Sequence, residues 1–354
     1  KFASENNLEM NTIRDINQKN IQNLECFINK SEEIILVTHI HPDGDALGST
    51  IGMAAYLQSR GKKATIILPD KWPATLEFIF EGFNKENIIV FENEQARAKE
   101  LLAKCDLLIC QDLNSFSRTE QMQETLRSIK CAKVLIDHHQ KPEIQDFDLV
   151  FSEINISSAS ELVFYILMAM EDINSDAARL PKAAGRALLT GMTTDTNNFA
   201  NSTYPSTFRM ASALLASGVD RDEILSRLYN QYGENRLRVL GHMMKDLLTI
   251  TEDGVAYIVL DKATLEHYNV QEGDTEGFVN MPLSIAEVRM SILLKEDKDR
   301  VRVSIRSKKG TSANTCARIY FNGGGHENAA GGRLNIPEDI SGISEAAGYI
   351  EEKT

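Results

Sequence analysis

The residues best suited to chemistry sit together in Thr38-His39-Ile40-His41-Pro42-Asp43-Gly44-Asp45. Two imidazoles and two carboxylates follow directly on the apolar run Ile34-Ile35-Leu36-Val37. Hard and borderline donors gathered this closely are what a divalent cation needs. Pro42 and Gly44 bend the loop so that Asp43 and Asp45 can converge. Related patterns occur three more times. Leu107 to Gln111 is an apolar run that ends at Asp112, with Arg118 soon after. Ala132 to Ile136 ends at Asp137-His138-His139. Leu188-Leu189 leads to Thr194-Asp195-Thr196, read as an aspartate in a polar turn. Singly, each group is an ordinary turn former. In conjunction they describe one composite metal site.

For these groups to meet, the apolar runs must be neighbouring strands. Strands are predicted at Ile34–Thr38, Ala64–Leu68, Ile88–Phe91, Leu107–Cys110 and Val134–Ile136. Helices are predicted between them at Ala46–Arg60, Glu94–Lys104 and Glu120–Ile129. This alternation predicts an α/β fold: a parallel sheet with helices on both faces. Ligands then bind beyond the carboxyl ends of the strands. The helix from Ala46 is faced with small residues, which predicts close packing and a positive end aimed at an anionic ligand.

Helices continue at Ser157–Met170, Lys182–Gly191 and Thr207–Ala216. Asp220–Tyr229 and Glu234–Leu248 read as amphipathic connecting helices. The expected organisation is a catalytic domain over 1–217, a helical linker over 218–249, and a smaller C-terminal α/β domain over 250–354. In the last of these, Ala256–Leu260, Ala286–Leu294 and Arg300–Ile305 read as strands, and Lys262–His267 and Ala313–Ile319 as helices. The substrate is expected in the cleft between the two lobes.

The chain has 354 residues and a net charge of −13, which argues against a protein that coats long nucleic acid. It leaves room for a small anion in a local basic pocket. Arg302, Ser304 and Arg306 alternate on one strand face and are read as anion contacts. Lys298, Arg300 and Lys309 are read as solvated. Gly323, Gly324 and Gly325, followed by His326, could bring successive N–H groups to an anion. His242 and His267 lie away from any motif and read as structural. The five cysteines show no paired metal spacing. Cys105, Cys110 and Cys131 are expected to be inert buried thiols in a reducing cytoplasm. Lys1 to Asn20 is polar, with no signal-peptide core, and no apolar run is long enough to span a membrane.

The four motifs resemble those of the DHH phosphoesterase superfamily, and Asn322 to Gly332 resembles the glycine-rich signature of its associated C-terminal domain. The chain is most similar to the nanoRNase/pAp-phosphatase branch. Its members degrade very short oligonucleotides and 3′-phosphoadenosine-5′-phosphate (pAp), and some open linear dinucleotides. The resemblance implies two divalent metal ions, Mn²⁺ in the first place, with Mg²⁺ or Co²⁺ as substitutes. It assigns His39 and Asp43 to one ion, Asp45, His138 and Asp195 to the other, and Asp112 to both. A water between the ions is the implied nucleophile. Asp137 orients the histidines without binding metal.

His139 is left to bond the scissile phosphate or to assist the leaving group. Arg118 is either a phosphate clamp or the partner of a nearby carboxylate. The Arg302, Ser304 and Arg306 strand and the Gly323, Gly324, Gly325, His326 loop are implied to hold the far phosphate or base. His41 departs from the family pattern and is read as a loop residue. The implied partners are short nucleotides or nanoRNA, with no long nucleic acid and no membrane, and a homodimer is compatible with the pattern.

Two rival readings stand beside this one. An inorganic pyrophosphatase or exopolyphosphatase shares the metal motifs, and Arg306-Ser307-Lys308-Lys309 resembles the pyrophosphatase basic cluster. The Gly-Gly-Gly-His loop argues against it, because pyrophosphate has no base or ribose to cradle. The other rival is a nucleotide-binding regulator with little catalysis.

Overall fold

A computed structural model describes residues 16–353, except 232, 272 and 299. Most of the polar N-terminal stretch therefore lies outside the described residues. The chain divides into two compact units, Lys1–Asn230 and Gln231–Thr354. The division falls inside the segment expected to be a linker.

The first unit opens with α1 (Gln18–Lys30) and then alternates: β1 (Glu33–Val37), α2 (Gly44–Ser59), β2 (Lys63–Leu68), β3 (Ile88–Val90), α3 (Gln95–Lys104), β4 (Leu107–Gln111), α4 (Gln123–Ser128), β5 (Ala132–Asp137) and β6 (Leu149–Ser152). Helices α5 (Ala159–Met168), α6 (Lys182–Asp195), α7 (Pro205–Ala216) and α8 (Arg221–Tyr229) complete it. The six strands form one parallel sheet in the order β3-β2-β1-β4-β5-β6. Chain direction across the sheet reverses after β3, so β1 and β4 are neighbours at its centre. That pair is the switch point of a doubly wound sheet, where the loops after the two strands diverge and leave a crevice.

Apolar layers cover both faces. One contains Ile34, Leu36, Ile109 and Val134 with residues of α1, α2, α5 and α6. The other contains Ile35, Val37, Leu108 and Leu135 with Ala98 and Leu102 of α3 and Leu126 of α4. Alternate residues of each strand supply the two layers, as the strand period requires.

Helices α2 and α6 pack backbone to backbone. A Cβ on Gly48 would stand 2.6 Å from the Ala187 carbonyl oxygen and 2.8 Å from Gly191 Cα, and one on Gly191 would stand 3.0 Å from the Gly44 carbonyl oxygen. Only glycine allows this approach. It brings the start of α2, with Asp45, beside the end of α6, with Asp195.

The second unit contains α9 (Glu234–His242), β7 (Thr249–Ile250), β8 (Val255–Leu260), α10 (Lys262–His267), β9 (Met290–Asp297), β10 (Arg300–Ser307), α11 (Ala313–Tyr320), β11 (Gly324–Gly325), β12 (Ala329–Asn335) and α12 (Ala346–Lys353). Its sheet is mixed, ordered β11-β12-β10-β9-β8-β7, with β8 and β9 parallel and the other pairs antiparallel. Val301, Val303 and Ile305 of β10 face a core shared with Ala317 and Phe321. Among the described residues, no helix is long and apolar enough to cross a membrane.

Several expectations need correction. The helix expected at Glu120–Ile129 begins instead as a 3-10 turn over Phe116–Met122, broken at Glu120 by a φ of 44°, and is helical only from Gln123. The strand expected from Ala286 starts at Met290. The helix expected to run from Glu234 to Leu248 passes at Met243 into a π-turn that ends at Leu247. Strands β6, β7, β11 and β12 and helices α1 and α12 lie outside the expected elements.

Candidate metal centre

The carboxyl ends of β1, β4 and β5 and the facing ends of α2 and α6 deliver one cluster of donors. At the end of β1, His39 is buried, and its Nδ1 lies 2.7 Å from the neighbouring Ile40 carbonyl. A carbonyl can only accept, so Nδ1 carries the proton and Nε2 keeps its lone pair. That Nε2 stands 3.4 Å from Asp112 Oδ2. A carbonyl behind one ring nitrogen and a free lone pair on the other is how a metal-binding histidine is commonly oriented.

The loop then turns through His41, whose φ is 54°. Asp70, just past β2, holds this turn. It accepts from the His41 backbone N–H at 2.7 Å and pairs with the ring at 2.6 Å. His41 is thus a loop residue, as expected, and Asp70 is the partner the sequence did not reveal. Asp43 caps α2: its Oδ1 accepts from the N–H groups of Asp45 and Ala46, each at 3.0 Å. The start of α2 is therefore filled by its own aspartate, which corrects the expectation that it faces an anionic ligand.

Asp45 is fixed from the far side. The N–H of Ala159 donates to its Oδ2 at 2.7 Å and that of Ser160 to its Oδ1 at 2.8 Å. These are the first amides of α5, so a buried carboxylate sits on the positive end of a second helix. The Ser158-Ala159-Ser160-Glu161 pattern is a cap signature that could have marked this helix start. Glu161, fully buried, steadies the turn: Oε2 accepts from the backbone N–H of Ser157 at 3.1 Å, from the Ser157 hydroxyl, and from Thr207 Oγ1 at 2.8 Å.

Asp112 is the centre of the cluster. It leaves β4 with a φ of 56°, a left-handed conformation that costs energy for a non-glycine residue and collects at functional sites. One oxygen faces His39. The other, Oδ1, stands 3.4 Å from His138 Nε2 and is buried without a hydrogen-bond partner. His138 Nε2 also lies 3.8 Å from Asp45 Oδ2 and 3.8 Å from Asp195 Oδ2. Two of the candidate donor groups draw on these residues alone. His39, Asp43 and Asp112 offer ligand atoms within 4.8 Å of one another, and so do Asp45, Asp112 and His138. Asp112 belongs to both.

Asp195 is the last residue of α6, not part of a turn beyond it. A carboxylate there faces the negative end of its own helix, an arrangement that calls for a nearby cation. Burial pushes Asp195 up to about 7; Asp43 and Asp112 add to this and His138 opposes it. Burial, then Asp112 and Asp195, also push Asp45 well up. Burial works against a charge on His138, but Asp112, Asp195 and Asp45 outweigh it and raise the imidazole to about 10. Asp112 likewise overcomes burial, held well below the usual carboxylate range by His138 and His39. His39 is raised, its burial outweighed by Asp112. Without metal, then, protons sit where cations belong. An orphaned carboxylate oxygen, two imidazole Nε2 atoms facing the same aspartate and a surplus of carboxylates fit divalent metal well.

Behind the donors, Asp137 is fully buried and binds His139 twice: Oδ1 lies 2.8 Å from Nδ1, and Oδ2 accepts the His139 backbone N–H at 3.1 Å. Nδ1 therefore carries the proton, and Nε2 accepts from Arg118 Nη1 at 2.9 Å. Arg118 also reaches the Asp112 carbonyl at 3.5 Å, and its own carbonyl accepts the Ile40 N–H at 2.8 Å. Among the described residues, no carboxylate is within ion-pair distance of this guanidinium. Its partner is an imidazole, an option not weighed from the sequence.

In the second unit, Arg302, Ser304 and Arg306 do share the less buried face of β10. Arg302 stands opposite Arg333 on β12, and Arg306 Nη1 donates to the Ile305 carbonyl at 2.9 Å. The glycine run leads from α11 into β11, and two of its amides are committed. Gly323 N–H donates to the Ala317 carbonyl at 3.1 Å, and Gly325 N–H to Asn314 Oδ1 at 3.1 Å. This corrects the expectation of three successive N–H groups free for an anion. A Cβ at Gly323 would meet the Gly331 carbonyl oxygen at 2.0 Å, so this glycine serves strand packing. Gly324 has the most room, with its nearest neighbour at 3.6 Å. His326 closes the hairpin turn, its N–H donating to Ala329 at 2.7 Å.

The model of the DHH family, N-terminal domain, matches residues 33–192, the stretch that carries nearly all of the donor cluster. That of the DHHA1 domain matches residues 238–352. The chain belongs to the DHH family. Among its DHH relatives, the bifunctional oligoribonuclease and PAP phosphatase NrnA of Bacillus subtilis is 26% identical over 310 residues, 86% of this chain and 90% of that protein. The protein of the same name from Thermus thermophilus is 28% identical over 304 residues, covering 85% and 84%. The crystal structure of an exopolyphosphatase-related protein from Bacteroides fragilis is 32% identical and superposes with a TM-score of 0.89, covering 97% of each chain.

Proposed function

We propose that this DHH protein is a metal-dependent phosphoesterase that hydrolyses short oligoribonucleotides, linear dinucleotides and pAp in the cytoplasm. The observation that carries the reading is Asp112, whose two oxygens face two imidazoles belonging to separate donor groups. His39 and Asp43 would hold one ion, Asp45, His138 and Asp195 the other, and Asp112 both. Bound there, two divalent ions, Mn²⁺ in the first place, would supply an activated water and neutralise charge on the phosphoryl oxygens.

The chain's own groups do the rest. Asp137 fixes the His139 ring, and Arg118 sets the far side of that ring. A substrate oxygen that takes Arg118 away from Nε2 frees that nitrogen's lone pair to take up a proton, which the ring can then hand to the leaving group. Freed in the same step, the guanidinium becomes a donor for a phosphate oxygen. Catalysis is assigned to 1–217 and substrate binding to 250–354, through Arg302, Ser304, Arg306, Gly324 and His326. The substrate class rests on the two NrnA relatives, matched over most of their length, and on the net charge of −13, which disfavours long nucleic acid.

The test is a product assay. Purified protein with Mn²⁺ is given pApA, pAp, pyrophosphate and a short polyphosphate in parallel, with products separated by anion exchange. AMP from pApA or pAp, with pyrophosphate untouched, is expected. Phosphate from pyrophosphate or polyphosphate alone would overturn the substrate class. Asp112→Asn should abolish turnover while the circular dichroism spectrum is unchanged; retained turnover would overturn the metal assignment.

A further inference from the structure

The two thiols that flank the first rung between β4 and β5 are Cys105 and Cys131. That rung is Leu107 against Ala132; Cys105 stands two residues before one partner and Cys131 one residue before the other. Their sulfurs lie 2.8 Å apart although 26 residues separate them in sequence. Among the described residues no other two cysteines come this close. We propose that Cys105 and Cys131 are a modification site: a dithiol that closes reversibly to a disulfide on the rim of the sheet opposite the metal centre. This inference is independent of the function proposed above.

Three observations carry it. The separation is already short, and a disulfide at about 2.05 Å needs the sulfurs to move by only about 0.8 Å. The pair is also asymmetric in the way a dithiol exchange requires. Cys131 is half-buried and Cys105 buried, and Lys133 stands beside Cys131. The bond from Cys105, with Lys133 in support, holds the Cys131 thiol below its ordinary range, while that bond and burial push Cys105 up. A half-buried thiol held low and a more shielded partner are the attacking and resolving thiols of such a pair. Finally, a surface hollow of about 710 Å³ is lined by both cysteines and by Lys130, so a tripeptide-sized reagent can reach them.

The oxidant is a low-molecular-weight disulfide. The Cys131 thiolate attacks one of its sulfurs and expels one small thiolate, leaving a mixed disulfide on Cys131. Cys105, giving up its proton, then attacks the Cys131 sulfur and expels the second small thiolate. Two protein thiols are oxidised, one small disulfide is reduced, and the two protons given up by the protein thiols pass to the two small thiolates. The new bond ties the starts of β4 and β5, the strands that lead to Asp112 and to Asp137-His138-His139.

The experiment equilibrates the full chain in mixtures of reduced and oxidised glutathione, blocks free thiols with N-ethylmaleimide, and maps peptides by mass. At oxidising ratios the Cys105 and Cys131 peptides should be joined. Two of the five cysteines should be lost to alkylation, and dithiothreitol should restore them. In Cys105→Ser, Cys131 should accumulate the glutathione adduct. In Cys131→Ser, Cys105 should take up little. The proposal is overturned if both stay as thiols at a ratio that modifies exposed Cys26, or if the wild-type chain stops at a glutathione adduct on Cys131.

Discussion

Metal uptake should be strongly pH-dependent, by an amount that follows from the donor cluster. Binding at the Asp45, His138, Asp195 group needs a neutral imidazole and an ionised carboxylate. His138 is raised to about 10 and Asp195 to about 7. At about pH 6, removing the His138 proton costs a factor of about ten thousand and the Asp195 proton about ten. At about pH 8 the factors fall to about a hundred and about one. Apparent Mn²⁺ affinity should therefore rise about a thousandfold between these pH values, or about 4 kcal/mol at about 1.36 kcal/mol per power of ten.

The metal-free protein should move the other way. The raised His138 stabilises the fold fully below its unfolded value near 6.5, and that stability is lost as pH climbs toward about 10. The raised Asp195 favours the folded state while protonated, and this is lost between about 4 and about 7. Tm without metal should fall from pH 6 to pH 8, while the rise on adding Mn²⁺ grows. Isothermal titration of metal-stripped protein, in buffers of different ionisation enthalpy, reads both affinity and proton count. From His138 and Asp195 alone nearly two protons should leave at about pH 6 and about one at about pH 8, and Asp45, also pushed well up, adds to both counts. An affinity change below about tenfold would refute the assignment of His138 and Asp195 as joint donors.

Other perturbations probe the supports of the cluster. Gly191→Ala drives a Cβ to 2.1 Å from Ser160 Oγ and should cost about 1–3 kcal/mol in urea unfolding; adding Ser160→Gly, which keeps the amide bonded to Asp45, should recover part of it. Glu161→Ala strands the Ser157 and Thr207 donors and should lower stability by about 2–4 kcal/mol. An unchanged Tm would mean the buried glutamate holds nothing in place. Asp137→Asn reverses the His139 tautomer and should reduce kcat at least about tenfold with a small change in KM; an unchanged kcat would remove His139 from proton transfer.

The donors themselves were legible because their signal is local. An apolar run that stops at a cluster of acids and histidines needs no tertiary information to be read as a strand delivering ligands. Strand and helix alternation likewise predicted a parallel sheet with helices on both faces, while the doubly wound strand order came only from the structure. Elements with weak local patterns escaped. Ala329–Asn335 carries two glycines and little apolar alternation, and it is a strand because β10 and β11 pair with it.

What only the tertiary structure decided is who stands next to whom. Asp195 was read as a turn residue because threonines surround it, yet α6 continues through it, packed on α2 by Gly48 and Gly191. The amides of Ala159 and Ser160 reach Asp45 across more than a hundred residues, Asp70 reaches His41 across 29, and Cys131 reaches Cys105 across 26. Periodicity reports which face of an element is apolar. It carries no record of which distant amide, carboxylate or thiol that face will meet, because those partners are set by the order of strands in the sheet and by how closely two helices can approach.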